Sequence, residues 1–179
     1  ITNNLNSAKT IDTDHVWNGG TANLDLSGED FLIGEWDGGH PRATHQEFDD
    51  GEGGTRVTRR DDGDLHYHSA HVAGTLIAEG QIPAAKGMAH QANLDSYDWD
   101  DDLAEMALAA ANDDLTLSNH SYGKTRGWKW RSEHARWFWY GDVDVSTTED
   151  YKFGFYSELS QDWDEFAYNS PQYLAVKSA

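Results

Sequence analysis

FLIGEWDGG, residues 31–39, is an apolar run that ends on an aspartate and two glycines. Such a run reads as a buried strand halted by a tight turn. The next strong signal, HSAHVAGTLIAEG (68–80), reads as a helix closed by Gly80. Ala70, Ala73, Gly74 and Ala78 are small enough to let that helix lie close to a sheet. Between the two, GTRVTRRDDGD (54–64) has room for a short strand. Beyond them, ANLDSYDW (92–99) and LTLSNHSYG (115–123) read as further strands, with QYLAVKSA (172–179) as the last. DLAEMALAAANDD (102–114) and SELSQDWDEFAYNS (157–170) read as helices, the first with Asp102 as N-cap and Glu105 three residues on, a capping-box pattern.

Strands alternating with helices predict an α/β fold, a mostly parallel sheet with helices on both faces. In open parallel sheets the functional crevice lies outside the carboxyl ends of the strands. The residues to inspect are therefore Asp37, the group His66, His68 and His71, and the stretch from Asn119 to Gly123. An Asp before Gly is also a common turn residue. A histidine in the first turn of a helix also serves as a plain cap or surface residue. Three histidines within six positions make the second explanation less economical.

Composition narrows the function classes. The 179 residues carry 13 Lys and Arg against 32 Asp and Glu, a formal charge of −19. Affinity for phosphates comes from Lys and Arg, so nucleic acid and anionic membrane surfaces are poor partners. The chain has no cysteine, which removes disulfides, Cys-ligated zinc and thiol catalysis. Eight Trp, eight Tyr and six Phe exclude a disordered acidic tail, which needs low hydrophobicity as well as charge. No apolar run approaches the roughly 20 residues that span a bilayer. Residues 1–27, rich in Asn, Thr, Asp and Gly, read as an irregular or partly helical arm.

GEWDGGHPRATHQEF (34–48) and HYHSAHVAGTLIAEG (66–80) together resemble the subtilisin-like serine peptidases. That family pairs a strand and D-x-G with a later His before an acidic or apolar pair, here Asp37-Gly38-Gly39 and THQEF. Its H-G-T-H-V-A-G-T motif is similar to HSAHVAGT (68–75), six of eight positions agreeing. Its substrate-pairing strand ends in Ser-x-Gly, here SNHSYG (118–123). The resemblance covers most of 28–123. It implies that Asp37 orients the histidine, that His68 is the general base and that His71 packs the helix on the sheet. Ser121, Tyr122 and Gly123 would hold the peptide backbone by strand addition. Ser69 and Ala70 stand where the family has Gly and Thr.

The family's G-T-S-x-A-x-P nucleophile segment has no counterpart here. Ser118, Ser121, Ser157, Ser160, Ser170 and Ser178 do not sit at a strand-to-helix elbow. The resemblance thus implies an incomplete domain: 28–179 as the N-terminal portion of a secreted or cell-surface serine endopeptidase, acting on polypeptides. A complementary C-terminal segment would bring the serine. No cofactor is required. Structural calcium is possible, with Asp61, Asp62 and Asp64 or Asp98, Asp100, Asp101 and Asp102 as acidic clusters that also suit a solvated surface. Two other classes stay open. His66, His68 and His71 could hold zinc in a metallohydrolase, although Ala70 stands where a metal-binding Asp would be needed. RGWKWRSEHARWFWYGD (126–142) could stack on sugars in a non-catalytic binding module. Tryptophans buried against the sheet are the plainer expectation for that stretch.

Overall fold

The computed structural model describes residues 4–112 and 115–178. Asp113, Asp114 and Ala179, the far ends of an expected helix and strand, lie outside the described residues, as does the start of the arm. Seven strands form: β1 (Leu32–Asp37), β2 (Val57–Arg59), β3 (Asn93–Asp98), β4 (Leu117–His120), β5 (Trp128–Arg131), β6 (Arg136–Trp139) and β7 (Leu174–Lys177). Five make an all-parallel sheet in the order β2-β3-β1-β4-β7, while β5 and β6 pair separately as an antiparallel hairpin. The four helices are α1 (Asn4–Thr10), α2 (Tyr67–Ile77), α3 (Asp102–Asn112) and α4 (Glu158–Asn169).

β1 runs at the centre, with β3 on one side and β4 on the other. Successive side chains of a strand point to opposite faces. Ile33 joins a core with Phe48, Val57, Leu94 and the α2 residues Ala73 and Ile77. Trp36 joins the opposite core with Tyr97, Leu115, Met106 of α3 and Phe166 of α4. The sheet is therefore covered on both faces, which explains why β1 reads as a continuous apolar run. Trp36 is fully buried, stacks on Tyr97 at 4.1 Å and donates its indole N–H to Glu105 Oε2 at 2.9 Å. Truncating it to Ala would cost about 3–5 kcal/mol.

α2 presents Ser69, Ala73 and Ile77, each four residues apart, to the sheet. Gly74 is not on that stripe. Its carbonyl accepts the Asn4 side-chain N–H at 3.2 Å, which ties α1 to α2. Trp17 pins the rest of the arm by donating to the Met88 carbonyl at 3.0 Å.

Several local expectations are corrected. α2 begins at Tyr67 with His66 as N-cap and ends at Ile77, three residues before Gly80. Gly80 instead turns the following loop at φ +92°, where the buried Glu47 carboxylate accepts the N–H groups of Gly80, Gln81 and Ile82. Asp102 lies inside α3, and Glu105 serves Trp36 rather than a capping box. The complete capping box is on α4, between Ser157 and Ser160. The tryptophans of 126–142 are not buried against the sheet. Trp128, Trp130 and Trp137 remain about half exposed, and they pair across the hairpin, Trp128 with Trp139 and Trp130 with Trp137.

Candidate functional site

The central strand delivers Asp37 to the carboxyl end of the sheet, where the strand order changes direction on either side of β1. Gly38 and Gly39 then turn the chain sharply. Gly39 has φ +131°, and a Cβ there would lie 2.5 Å from the Asp64 carbonyl oxygen, so only glycine fits. The turn lets residues 64–66 run beside the exit of β1. The His40 N–H donates to Asp64 O at 2.9 Å, and the His66 N–H donates to His40 O at 2.8 Å. Because 64–66 feed directly into α2, these two bonds fix the first turn of the helix over Asp37.

The result is a close carboxylate–imidazole pair. His68 Nδ1 lies 2.9 Å from Asp37 Oδ1 and 2.8 Å from Oδ2. Asp37 is 1 % exposed, and its Oδ1 also accepts the Gly38 N–H at 2.7 Å. A carboxylate in this position requires the proton on Nδ1 of His68, which leaves the lone pair on Nε2. The ring is 42 % exposed, so this nitrogen belongs to a side chain that solvent and a ligand can reach. A buried carboxylate orienting an accessible imidazole is an arrangement that can activate a nucleophile.

His66 stands next to the pair. Its Nδ1 is buried without a hydrogen-bond partner, 3.7 Å from Asp37 Oδ1. Asp37, His66 and His68 form the one trio among the described residues whose ligand atoms all lie within 4.8 Å of one another. Tetrahedral zinc with bonds near 2.0–2.1 Å has ligands about 3.3 Å apart, between the 2.8 Å and 3.7 Å separations here. His71 is exposed and outside this trio, so it neither packs α2 onto the sheet nor joins a three-histidine cluster. The acidic runs make no such trio among the described residues. Asp61 accepts the Asp98 N–H at 2.9 Å, and Asp102 accepts the Leu103 N–H at 2.8 Å.

Ser121, Tyr122 and Gly123 continue from β4 past the end of the sheet without a strand partner, though Ser178 Oγ donates to the Tyr122 carbonyl at 3.2 Å. Tyr122 and Gly123 line a cleft of about 710 Å³. Trp99 joins this cleft to the Asp37 turn: its ring covers Gly38, where a Cβ would meet it at 3.0 Å, and meets Tyr122 edge-on at 5.6 Å.

Two buried features escaped the sequence reading. Glu35, on the α2 face of β1 two residues before Asp37, is fully buried. Ser69 and the Ala73 backbone are its nearest polar neighbours, but neither completes a well-formed hydrogen bond. Burial, and then the charge of Asp37, hold its carboxyl well above the usual range. Strict strand alternation was the available signal, since it places residues 35 and 37 on one face. The second feature is a relay across the other face. Tyr122 OH donates to Asp102 Oδ2 at 2.5 Å, so its oxygen accepts from His120 Nδ1 at 2.9 Å, and Nε2 accepts from Ser118 Oγ at 2.8 Å. Burial, with Lys177 nearby, pushes the His120 pKa down to about 3, consistent with a neutral ring in that chain. His120 is thus enclosed within that chain, whereas the His68 ring is open to solvent.

Other serines are occupied away from His68. Ser121 accepts from Asn119, Ser157 and Ser160 cap α4 together, and Ser178 serves Tyr122. Comparison with models of known protein families gives no match, and comparison with curated proteins gives none either.

Proposed function

We propose that residues 28–179 form the N-terminal portion of a subtilisin-like peptidase domain and supply the aspartate and histidine of an Asp-His-Ser triad. One observation carries this reading: the His68 imidazole sits 2.8 Å from a buried Asp37 carboxylate at the carboxyl end of the central parallel strand. In this scheme Asp37 holds the Nδ1–H tautomer and stabilises the imidazolium. His68 Nε2 takes the proton of a serine hydroxyl as that oxygen attacks the scissile carbonyl, then returns it to the leaving amine. Ser121, Tyr122 and Gly123 align the polypeptide. The serine comes from a complementary segment, which agrees with the engagement of the serines described above. No cofactor is needed for the chemistry. A secreted or cell-surface setting belongs to the same reading. Among the described residues no helix is long and apolar enough to cross a membrane.

The test is turnover in the assembled enzyme. His68→Ala should lower kcat/KM by roughly four to six orders of magnitude while the thermal melt of the protein stays close to that of the parent. Near-parental rates would refute the base assignment. A serine-directed phosphonate that labelled a serine within residues 1–179 would refute the complementary segment.

The unpartnered Nδ1 of His66 favours a second reading, a metallohydrolase in which Asp37, His66 and His68 hold zinc and activate water. Stoichiometric zinc that is lost in both His66→Ala and His68→Ala would establish it against the first.

A further inference from the structure

Of the 13 basic residues in this strongly acidic chain, four line one cleft. Lys124, Arg126, Lys129 and Lys177 all border the 710 Å³ cavity that begins at Tyr122 and Gly123. None of them is ion-paired with a carboxylate among the described residues within the 4.0 Å that defines such a pair. Among the described residues the only carboxylate on the wall is Asp102, and its oxygens already accept from Leu103 N–H and Tyr122 OH. Four cations line this cavity; Asp102 acts on Lys177 and Asp150 on Arg126, and neither contact is as close as 4.0 Å.

Aromatic rings make up much of the remaining wall. Trp99, Trp128 and Trp163 face the same space. The Lys177 ammonium lies over the Tyr122 ring at 3.9 Å and the Trp163 ring at 4.5 Å, which holds the charge at a fixed place. The hairpin that supplies Trp128 and Lys129 is anchored at its base. Asp150, buried at 5 % exposure, accepts the Gly127 N–H at 2.8 Å, and the Tyr140 N–H donates to Gly127 O at 2.9 Å. The basic wall is thus attached to a fixed frame beside the segment that would align a peptide.

We propose that this cleft selects polypeptide substrates bearing Asp or Glu side chains along the stretch that runs past Tyr122 and Gly123. Substrate carboxylates meet Lys124, Arg126, Lys129 and Lys177, and the tryptophans cover the intervening apolar parts. Opposite charge in a walled cleft raises both encounter rate and discrimination. The assignment rests on the peptidase reading for its biological meaning. The binding itself does not need the serine.

The experiment titrates the full chain with an acetylated, alternating Glu-Ala peptide and follows tryptophan fluorescence. A Lys-Ala peptide of equal length and a neutral glucan hexamer serve as comparisons. The Glu-Ala peptide should bind at least tenfold more tightly than the Lys-Ala peptide, and its affinity should fall about tenfold between low and moderate salt. The exposed double variant K124E/K129E should lose about tenfold more while keeping the parental circular dichroism spectrum. His68→Ala should leave this binding unchanged, which separates it from catalysis. Equal affinity for the two peptides, affinity insensitive to salt, or unaltered binding in K124E/K129E would overturn the proposal. So would glucan binding that exceeds peptide binding. Retained turnover of the assembled enzyme in His68→Ala, alongside selective Glu-Ala binding by the chain, would sink the peptidase reading and leave the acidic-peptide cleft standing.

Discussion

The junction of β1 with α2 and the hairpin of β5 with β6 border the same end of the sheet, and they are built in opposite ways. At the junction, Asp37, Ser69, Ala73 and Glu35 are all buried, and the turn between them admits only glycine at position 39. In the hairpin, the strands touch mainly each other, and three of its four tryptophans stay about half exposed. The first construction fixes two side chains to within a hydrogen-bond length. The second presents a sticky, basic surface on a narrow anchored base. Precise positioning comes from burial and backbone constraint, and broad recognition from exposed aromatic and cationic side chains.

This contrast can be broken at specific positions. The largest effect is expected from Gly39→Ala, which forces a Cβ against the Asp64 carbonyl in a conformation that L residues rarely adopt. It should destabilise the fold by about 3 kcal/mol, read as a lower midpoint in urea, and it should separate His68 from Asp37. A melt matching the parent would show that the junction is less constrained than described.

Glu35→Gln should act in the other direction. The folded state keeps a proton on Glu35 after the unfolded chain has lost its own near the ordinary carboxylate value. Stability associated with this group is therefore present at low pH and is lost as pH rises from that value toward the raised one. The slope is at most about 1.4 kcal/mol per pH unit. The amide variant should lack that decline and be the more stable protein at neutral pH. A parallel pH–stability curve for parent and variant would show that Glu35 is already ionised when folded.

Trp137→Ala should have the smallest effect. The residue is 59 % exposed, and its ring meets that of its cross-strand neighbour Trp130 at 5.8 Å. A loss of about 0.5 kcal/mol is expected, with no change at the His68 ring. A loss several times larger would mean that the hairpin face is part of the core.

The same contrast explains what could be read from the chain alone. The β1 run and the small-residue face of α2 follow local rules of period and conformation, and the carboxyl-end rule marks Asp37 and the His66, His68 and His71 group; that Asp37 and His68 touch was legible only through the resemblance to the subtilisin-like peptidases. Burial in the hairpin was not legible. A tryptophan has the same hydrophobic signature whether it packs on a sheet or on another tryptophan across a two-stranded ribbon, and cross-strand register decides which. His71 misled for a related reason. It shares a helix with Ser69 and Ala73, yet the stripe facing the sheet advances by four residues from Ser69, which leaves position 71 on the outside. Glu35 was hidden because a carboxyl in an apolar run looks like an interruption of the strand, not like a buried acid.

Heteronuclear NMR of the histidine imidazoles tests the central pairing most directly. The account predicts that His68 carries its proton on Nδ1, with a downfield, exchange-protected resonance that disappears in Asp37→Ala and persists in His66→Ala. A proton on Nε2 of His68, or an imidazole resonance indifferent to Asp37→Ala, would contradict it.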